Sequence, residues 1–282
     1  MVVEETESVA YTLPPVALRD AEAFIFDLDG VLYRGQQTLP GVVEMFDALE
    51  ARDIPYLLAT NNSMATPADY VERMAAIGVI VDEANVQTSA TATREFLKGE
   101  LPAGSHLLVV GMPALRTQLT DGSDFVITDN PDDNVAAVVA GLDQLFTYET
   151  LTRASAAIRK GAHFVATNAD ATLPVENGFI PGAGSIIAAI ATAGGALPTV
   201  VGKPETLMMT TGVQQLGTSA RGTIMIGDRL DTDILAAHRA GLTTALVLTG
   251  VTTRSDLAGS EIVPDYVFTD LPAMLREIIG GD

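Results

Sequence analysis

Ala23-Phe24-Ile25-Phe26-Asp27-Leu28-Asp29-Gly30 begins as four apolar residues and ends in two carboxylates and a glycine. A short apolar run stopped by charge and a turn residue reads as a buried parallel strand reaching a functional loop. In a regular strand Asp27 and Asp29 would share one face, but at a strand end before Gly30 the second is free to turn into the loop. Two carboxylates so close repel each other unless a cation lies between them.

The same punctuation recurs along the chain. Pro40-Gly41 opens a helical stretch with Val43, Phe46, Ala48 and Leu49 at core spacing, and Ile54–Ala59 is a second apolar strand running into Thr60-Asn61-Asn62-Ser63. Thr66-Pro67 begins another helix, with Tyr70, Met74 and Ile77 on one face and Gly78 at its end. The alternation resumes with strands at Thr199–Gly202, Thr223–Ile226 and Thr244–Leu248, which end at Lys203-Pro204, Gly227-Asp228 and Thr249-Gly250. Polar residues therefore gather at strand C-termini, where open α/β sheets place their ligands.

Between these halves a stretch with its own strands, at Leu107–Val110, Phe125–Thr128, Val135–Val139 and Phe164–Ala166, reads as an inserted α/β domain. The fold expected is α/β: a doubly wound, mainly parallel, Rossmann-like core sheet from residues 1–83 and 183–282, with an inserted α/β cap from 84–182. Tyr56–Asn61 resembles Phe164–Asn168, and Val110–Pro113 resembles Val201–Pro204, which ancient duplication and convergence on good strand ends explain about equally. Within the insertion, Thr167-Asn168-Ala169-Asp170 closes a strand as Thr60-Asn61-Asn62-Ser63 does. Gly182–Ser185 then leads back to the core, with Ser185 a candidate helix cap.

Composition narrows the partners. At 282 residues, 48% hydrophobic and 18% charged, the chain has ample material for a packed core. Its net charge of −20, from 36 acidic and 16 basic residues, repels polyanions, so neither nucleic acid nor an anionic membrane surface is an expected partner. The absence of cysteine removes disulfides, thiolate zinc sites and thiol nucleophiles together, and leaves an oxygen-rich inventory suited to a hard cation such as Mg2+. Residues 1–20 carry Glu4, Glu5 and Glu7 without a basic segment or apolar run, unlike a secretory signal. The longest Ala-rich stretch, Gly184–Val201, is broken by Gly194, Gly195 and Pro198, and a cytoplasmic protein is expected.

Ile226-Gly227-Asp228-Arg229-Leu230-Asp231-Thr232-Asp233 is a second apolar strand ending in carboxylates, able to bring Asp228 to the same metal as Asp27. With Lys203 from a third strand, and Thr60 with the amides of Asn61 and Asn62 from a fourth, the set is one for phosphoryl transfer. It supplies a nucleophilic carboxylate, a hydroxyl, and cationic neutralisation of developing charge. Asp231 reads equally as a loop acid or a metal neighbour, and Arg229 as a phosphate neighbour or an ion-pair partner of nearby acids. His106, His163 and His238 lack partners at metal-ligand spacing, although His163 could reach a substrate from the insertion.

These four segments, in this order over nearly the whole chain, resemble the haloacid dehalogenase superfamily signatures. The insertion between Thr60-Asn61-Asn62-Ser63 and Gly202-Lys203-Pro204 resembles that of its type IIA branch of NagD-like and p-nitrophenylphosphatase-like enzymes. The resemblance implies a Mg2+-dependent phosphatase of small phosphorylated metabolites, such as sugar, glycerol, glycolate or nucleotide monophosphate esters. It implies Asp27 as the nucleophile that becomes aspartyl phosphate and Asp29 as general acid then base. Thr60, Asn61, Asn62 and Lys203 would hold phosphate, and Asp27, the Asp29 carbonyl, Asp228 and, directly or through water, Asp233 would hold the metal. Asn168, Asp170 and the Gly182–Ser185 loop would shape the substrate pocket, and a homodimer through the cap is compatible with the branch. A phosphomutase uses the same two aspartates, and a non-catalytic regulatory domain shares the fold; both are carried as alternatives.

Overall fold

The computed structural model describes residues 14–175 and 178–279, so Glu4, Glu5 and Glu7 lie outside the described residues. In chain order the first half holds β1 (Ala23–Phe26), β2 (Tyr33–Arg34), β3 (Gln37–Thr38), α1 (Val42–Glu50), β4 (Tyr56–Thr60), α2 (Pro67–Ala76), β5 (Val86–Thr88), α3 (Ser89–Glu100), β6 (His106–Val110), α4 (Pro113–Thr120), β7 (Val126–Thr128) and β8 (Val135–Ala140). The second half holds α5 (Tyr148–Arg159), β9 (His163–Ala166), β10 (Thr172–Val175), β11 (Gly178–Pro181), α6 (Ala183–Gly194), β12 (Thr199–Val200), α7 (Leu207–Leu216), β13 (Thr223–Gly227), α8 (Leu235–Arg239), β14 (Thr243–Val247), α9 (Arg254–Gly259), β15 (Tyr266–Phe268) and α10 (Leu271–Ile279). None of the described helices is long and apolar enough to cross a membrane.

Six parallel strands form the core sheet in the order β15-β14-β13-β1-β4-β5. The chain starts in the middle at β1, winds outward through β4 and β5, and later returns on the other side through β13, β14 and β15. Loops leaving β1 and β13 therefore diverge, which opens a crevice at their C-terminal ends. The strands are apolar on both faces because both are covered: Phe24 and Phe26 join one buried cluster with α1, α2 and α10, while Ile25 joins another with α3, α7 and α8. Helix starts follow local chemistry, as at α2, where Thr66 and Asp69 form a reciprocal capping box around Pro67 at the first helical position.

The second sheet, also parallel, has the order β12-β9-β8-β6-β7. Its membership moves both expected boundaries. β5, placed in the insertion by a break at 84, is the edge strand of the core sheet. α6 and β12, placed in the core by a break at 182, belong with the cap: α6 packs on α5, and β12 pairs with β9. Thr199–Gly202 looked like a core strand because it is apolar and leads to a functional lysine, but its ladder partners are Val165 and Ala166. One apolar cluster runs unbroken from Ile25 and Leu57 through Ala90 and Leu97 of α3 to Leu107 and Val139, so the cap is packed onto the core over a shared interior.

Candidate active site

The strand ends β1, β4 and β13 meet the cap at a cleft of about 860 Å³ lined by Asp27, Thr60, Asn61, Asn62, Lys203, Asp228 and Asp233 at its floor. Asp27 directly follows β1, and its amide donates to Ile226 O at 2.8 Å, so pairing with β13 holds the residue where the strand stops. Lys203, only 2% exposed, reaches in from the loop after β12 and places Nζ 2.6 Å from Asp27 Oδ1, 2.6 Å from Asp233 Oδ1 and 3.0 Å from Ala59 O. All three ammonium protons are thus directed, as a buried cation requires. Burial pulls the Lys203 ammonium toward neutrality, but attraction by Asp233 and Asp27 outweighs it and the group is held charged above its ordinary range.

One lysine does not balance three acids. Asp27, Asp228 and Asp233 each bring a carboxylate oxygen within 4.8 Å of the others. Burial pushes Asp27 well above the usual carboxylate range, with Asp233 and Asp228 adding to the rise and Lys203 opposing it. Burial, then Asp233, pushes Asp228 up to about 7 against the Val251 amide and Lys203. A group of buried oxygens in this electrostatic condition fits a hard divalent cation, which would supply the missing positive charge. Asp233 has both oxygens engaged, by Lys203 and by the Arg229 amide at 3.1 Å. Among the described residues, no protein donor reaches Oδ2 of Asp27 or Oδ1 of Asp228, so both oxygens are open to a cation.

Asp29 stands beyond the strand end with its side chain open to the cleft, as the glycine after it allowed. Desolvation there raises its pKa, opposed by Arg73 and Lys203, a direction that favours the protonated acid. Thr60 lines the cleft and accepts the Asn62 amide at 3.1 Å, while Asn62 Oδ1 accepts the Met64 amide at 2.8 Å. The Asn61 side chain turns aside to bond the Lys203 backbone and Asp170. Both polar atoms of the buried Asn168 amide are committed inside the protein: Nδ2 donates to Asn61 O at 2.8 Å and Oδ1 accepts the Asp170 amide at 3.1 Å. Asn168 and Asp170 both line the cleft, Asn168 with its amide held by the protein. The Asp170 carboxyl is pushed upward by burial, against the Asn61 amide and Arg229.

The open alternatives resolve in part. Arg229, which lines the cleft, makes a two-pronged pair with the more exposed Asp231, at 3.1 and 2.9 Å, so these two residues are ion-pair partners. His163 stands exposed at the start of β9, the end of the strand away from the cleft, and the expectation that it could reach substrate is corrected by strand direction. Gly182, not Ser185, caps α6, because this backbone lies so close to Asp170 that a Cβ at Gly182 would stand 2.2 Å from its carbonyl oxygen.

Two supports carry no signal strong enough to read from sequence. The Thr249–Thr252 loop wraps Asp228: the Val251 amide donates to its Oδ2 at 2.6 Å, the Thr252 amide to its carbonyl at 3.1 Å, and Thr249 Oγ1 to Gly30 O at 2.6 Å. A Cβ at Gly250 would fall 1.9 Å from Asp228 Oδ2, so only glycine fits there. Its Thr-Gly after a strand was visible, but its target was not. Arg73 of α2 lies 3.3 Å from the Tyr33 ring centroid and donates to Gly35 O, bracing the β2–β3 hairpin whose Arg34, Gln36 and Gln37 form one wall of the cleft.

Comparison with known proteins identifies the family. A family model described as haloacid dehalogenase-like hydrolase matches residues 24–122, and an HAD-hydrolase-like model matches residues 200–274. The chain belongs to the haloacid dehalogenase-like hydrolases, in their NagD-like phosphatase branch. It is 36% identical to an acid sugar phosphatase of Staphylococcus epidermidis over 93% of this chain and 99% of the relative. Among solved structures it resembles a 4-nitrophenylphosphatase from Thermotoga maritima, with TM-score 0.87 and 34% identity over 93% of this chain and 98% of that one. It also resembles a glycerol phosphate phosphatase from Mycobacterium tuberculosis in complex with magnesium, with TM-score 0.84 and 34% identity over 92% of this chain and 78% of that one.

Proposed function

We propose that this chain is a Mg2+-dependent phosphatase that hydrolyses small phosphate monoesters through an aspartyl phosphate on Asp27. The observation that carries the reading is the cleft floor, where Lys203 lies 2.6 Å from Asp27 and from Asp233 while Asp228 completes a cluster of buried carboxylates. Asp27 Oδ2, Asp228 Oδ1 and the Asp29 carbonyl would hold Mg2+, with Asp233 fixing Lys203 and the loop behind it. The ion would supply charge neutralisation for phosphate and carboxylate in the same small space.

The residues divide the remaining work. Thr60 and the amides beyond it receive the phosphoryl oxygens, and Lys203 aims Asp27 and opposes the upward push of burial, so that with the cation bound beside it Asp27 would act as a carboxylate. An Asp27 oxygen bonds to phosphorus as the bond from phosphorus to the ester oxygen breaks, and Asp29 gives its proton to that leaving oxygen. Asp29, now a carboxylate, takes a proton from water as the water oxygen attacks phosphorus; inorganic phosphate leaves and Asp27 is restored. These groups treat all monoesters alike, so choice falls to the rim, where Asp170, Leu173, Gln36 and Gln37 face the cleft. The polar Gln36, Gln37 and Asp170 on that rim suit the hydroxyls of small polyol or sugar phosphates, and the relatives named as sugar and glycerol phosphate phosphatases support the same class. The charge of −20 favours such esters over nucleic acid, and we place the activity in the cytoplasm.

Release of inorganic phosphate from a panel of sugar, glycerol, glycolate and nucleoside monophosphates, with Mg2+ and with excess EDTA, tests the reading. Metal-dependent release is expected, with Asp170→Ala re-ranking the panel. Full turnover in EDTA would remove the metal, isomerised rather than hydrolysed sugar phosphate would indicate a mutase, and no turnover of any ester would leave a non-catalytic domain.

A further inference from the structure

Asn61 follows the phosphate-binding Thr60 in sequence, yet its side chain is spent on protein. Oδ1 accepts the Lys203 amide at 2.8 Å, and Nδ2 donates to the Lys203 carbonyl at 2.8 Å and to Asp170 Oδ2 at 3.2 Å. A planar amide satisfying both backbone groups of one residue fixes that residue in position and orientation, as an added strand would. The Asn61 main chain is held in turn, its carbonyl accepting from Ser89 Oγ at 2.7 Å and Asn168 Nδ2 at 2.8 Å. The approach requires Gly202, where a Cβ would stand 2.6 Å from Asn61 Oδ1.

The need for such a clamp follows from the topology. Lys203 acts on core carboxylates but is delivered by β12, a two-residue edge strand of the cap sheet. Without a tie to the core, its Nζ would depend on how the cap sits, and a shift of about 1 Å in a catalytic group is costly in rate. We propose that Asn61 is a positioning residue that locks Lys203 onto the core, acting through the lysine backbone and not by binding substrate. The proposal rests on the reading of Lys203 as the partner of Asp27.

The chain has three lysines, which makes the position of this one directly measurable. The side chains of Lys98 and Lys160 are 44% and 53% exposed, against 2% for Lys203, so brief acetylation of the full chain by an N-hydroxysuccinimide ester, read by mass spectrometry, should mark the first two and spare the third. Asn61→Ala, and the isosteric Asn61→Asp in case the first does not fold, are expected to raise Lys203 labelling about tenfold or more with Lys98 and Lys160 unchanged. With p-nitrophenyl phosphate and Mg2+, kcat should fall by about 10²-fold while KM stays within about threefold. A raised KM with kcat intact and Lys203 still protected would show that Asn61 holds substrate and overturn the proposal, as would uniformly increased labelling of all three lysines or wild-type behaviour of both variants. Lys203→Met separates the two levels: if it keeps wild-type kcat, the role given to Lys203 fails, whereas an inactive Lys203→Met beside wild-type Asn61 variants refutes only the clamp.

Discussion

Ala59-Thr60-Asn61 at the end of β4 and Ala166-Thr167-Asn168 at the end of β9 are the same three residue types leaving the same kind of parallel strand. Their fates differ. Thr60 opens onto the cleft beside Asp27, while Thr167 is fully buried, its hydroxyl without a hydrogen-bond partner among the described residues. Asn61 clamps Lys203, and Asn168 clamps Asn61. The difference comes from neighbours: β4 lies beside β1, which leads directly into Asp27, whereas β9 lies between β8 and β12. A strand-end sequence is an offer of polar groups, and the adjacent strand decides whether chemistry takes it up.

The largest expected effect removes the neighbour that makes β4 catalytic. Asp27→Asn keeps the shape and removes the proposed nucleophile, so kcat should fall by about four orders of magnitude or more with the fold retained by circular dichroism. Activity within tenfold of wild type would end the assignment.

Next comes the direct contrast between the two threonines. If Thr60 holds phosphate as proposed, Thr60→Ala should lower kcat/KM by about 10²-fold, the usual cost of losing one donor at developing charge, whereas Thr167→Ala should leave it within about twofold. Equal losses in a steady-state assay would mean that the cap strand end also touches the reacting group.

The carboxylates around the core strand ends should also show in stability. Asp228 is raised to about 7 by burial and Asp233, so in the metal-free protein its protonated form favours folding. That contribution is complete at low pH, below the ordinary carboxylate range, and is lost as pH rises through about 7. The gain in Tm on adding Mg2+ should therefore grow from pH 4 to about 7 and level off above, reaching a few degrees at saturating metal. Asp228→Asn should flatten this pH dependence in differential scanning fluorimetry, and a gain independent of pH would contradict it.

The smallest effect is on the cap side. Thr167→Val replaces a buried, unpartnered hydroxyl by a methyl group of the same size, and should stabilise the fold by about 1 kcal/mol in urea unfolding. A loss of similar size would show that a bound water satisfies the hydroxyl, and would bring the two strand ends closer in character than their geometry indicates.

Much of the core was legible because its signals are local. Apolar runs ending in Asp27, Thr60 and Asp228 announce parallel strands, and the chemistry of those end groups announces phosphoryl transfer. The cap's own strands were equally visible, whereas its limits were not: β5 and β12 are three and two residues long, and such short apolar segments carry no mark of which sheet they join. Arg73 and the Thr249–Thr252 loop were silent for a related reason, since each serves a residue dozens or hundreds of positions away.

The sequence by itself determined the alternation of strands and helices, the acids and the lysine, and the order in which they occur, because period and residue type act within a few neighbouring residues. Only the tertiary structure decided that Lys203 comes from the cap sheet, that Asn61 and Asn168 hold backbone in place, and that Asp233 faces Lys203 with both oxygens engaged. Those assignments depend on which strand pairs with which and on the desolvation that close packing imposes, and neither is a property of any one stretch of chain.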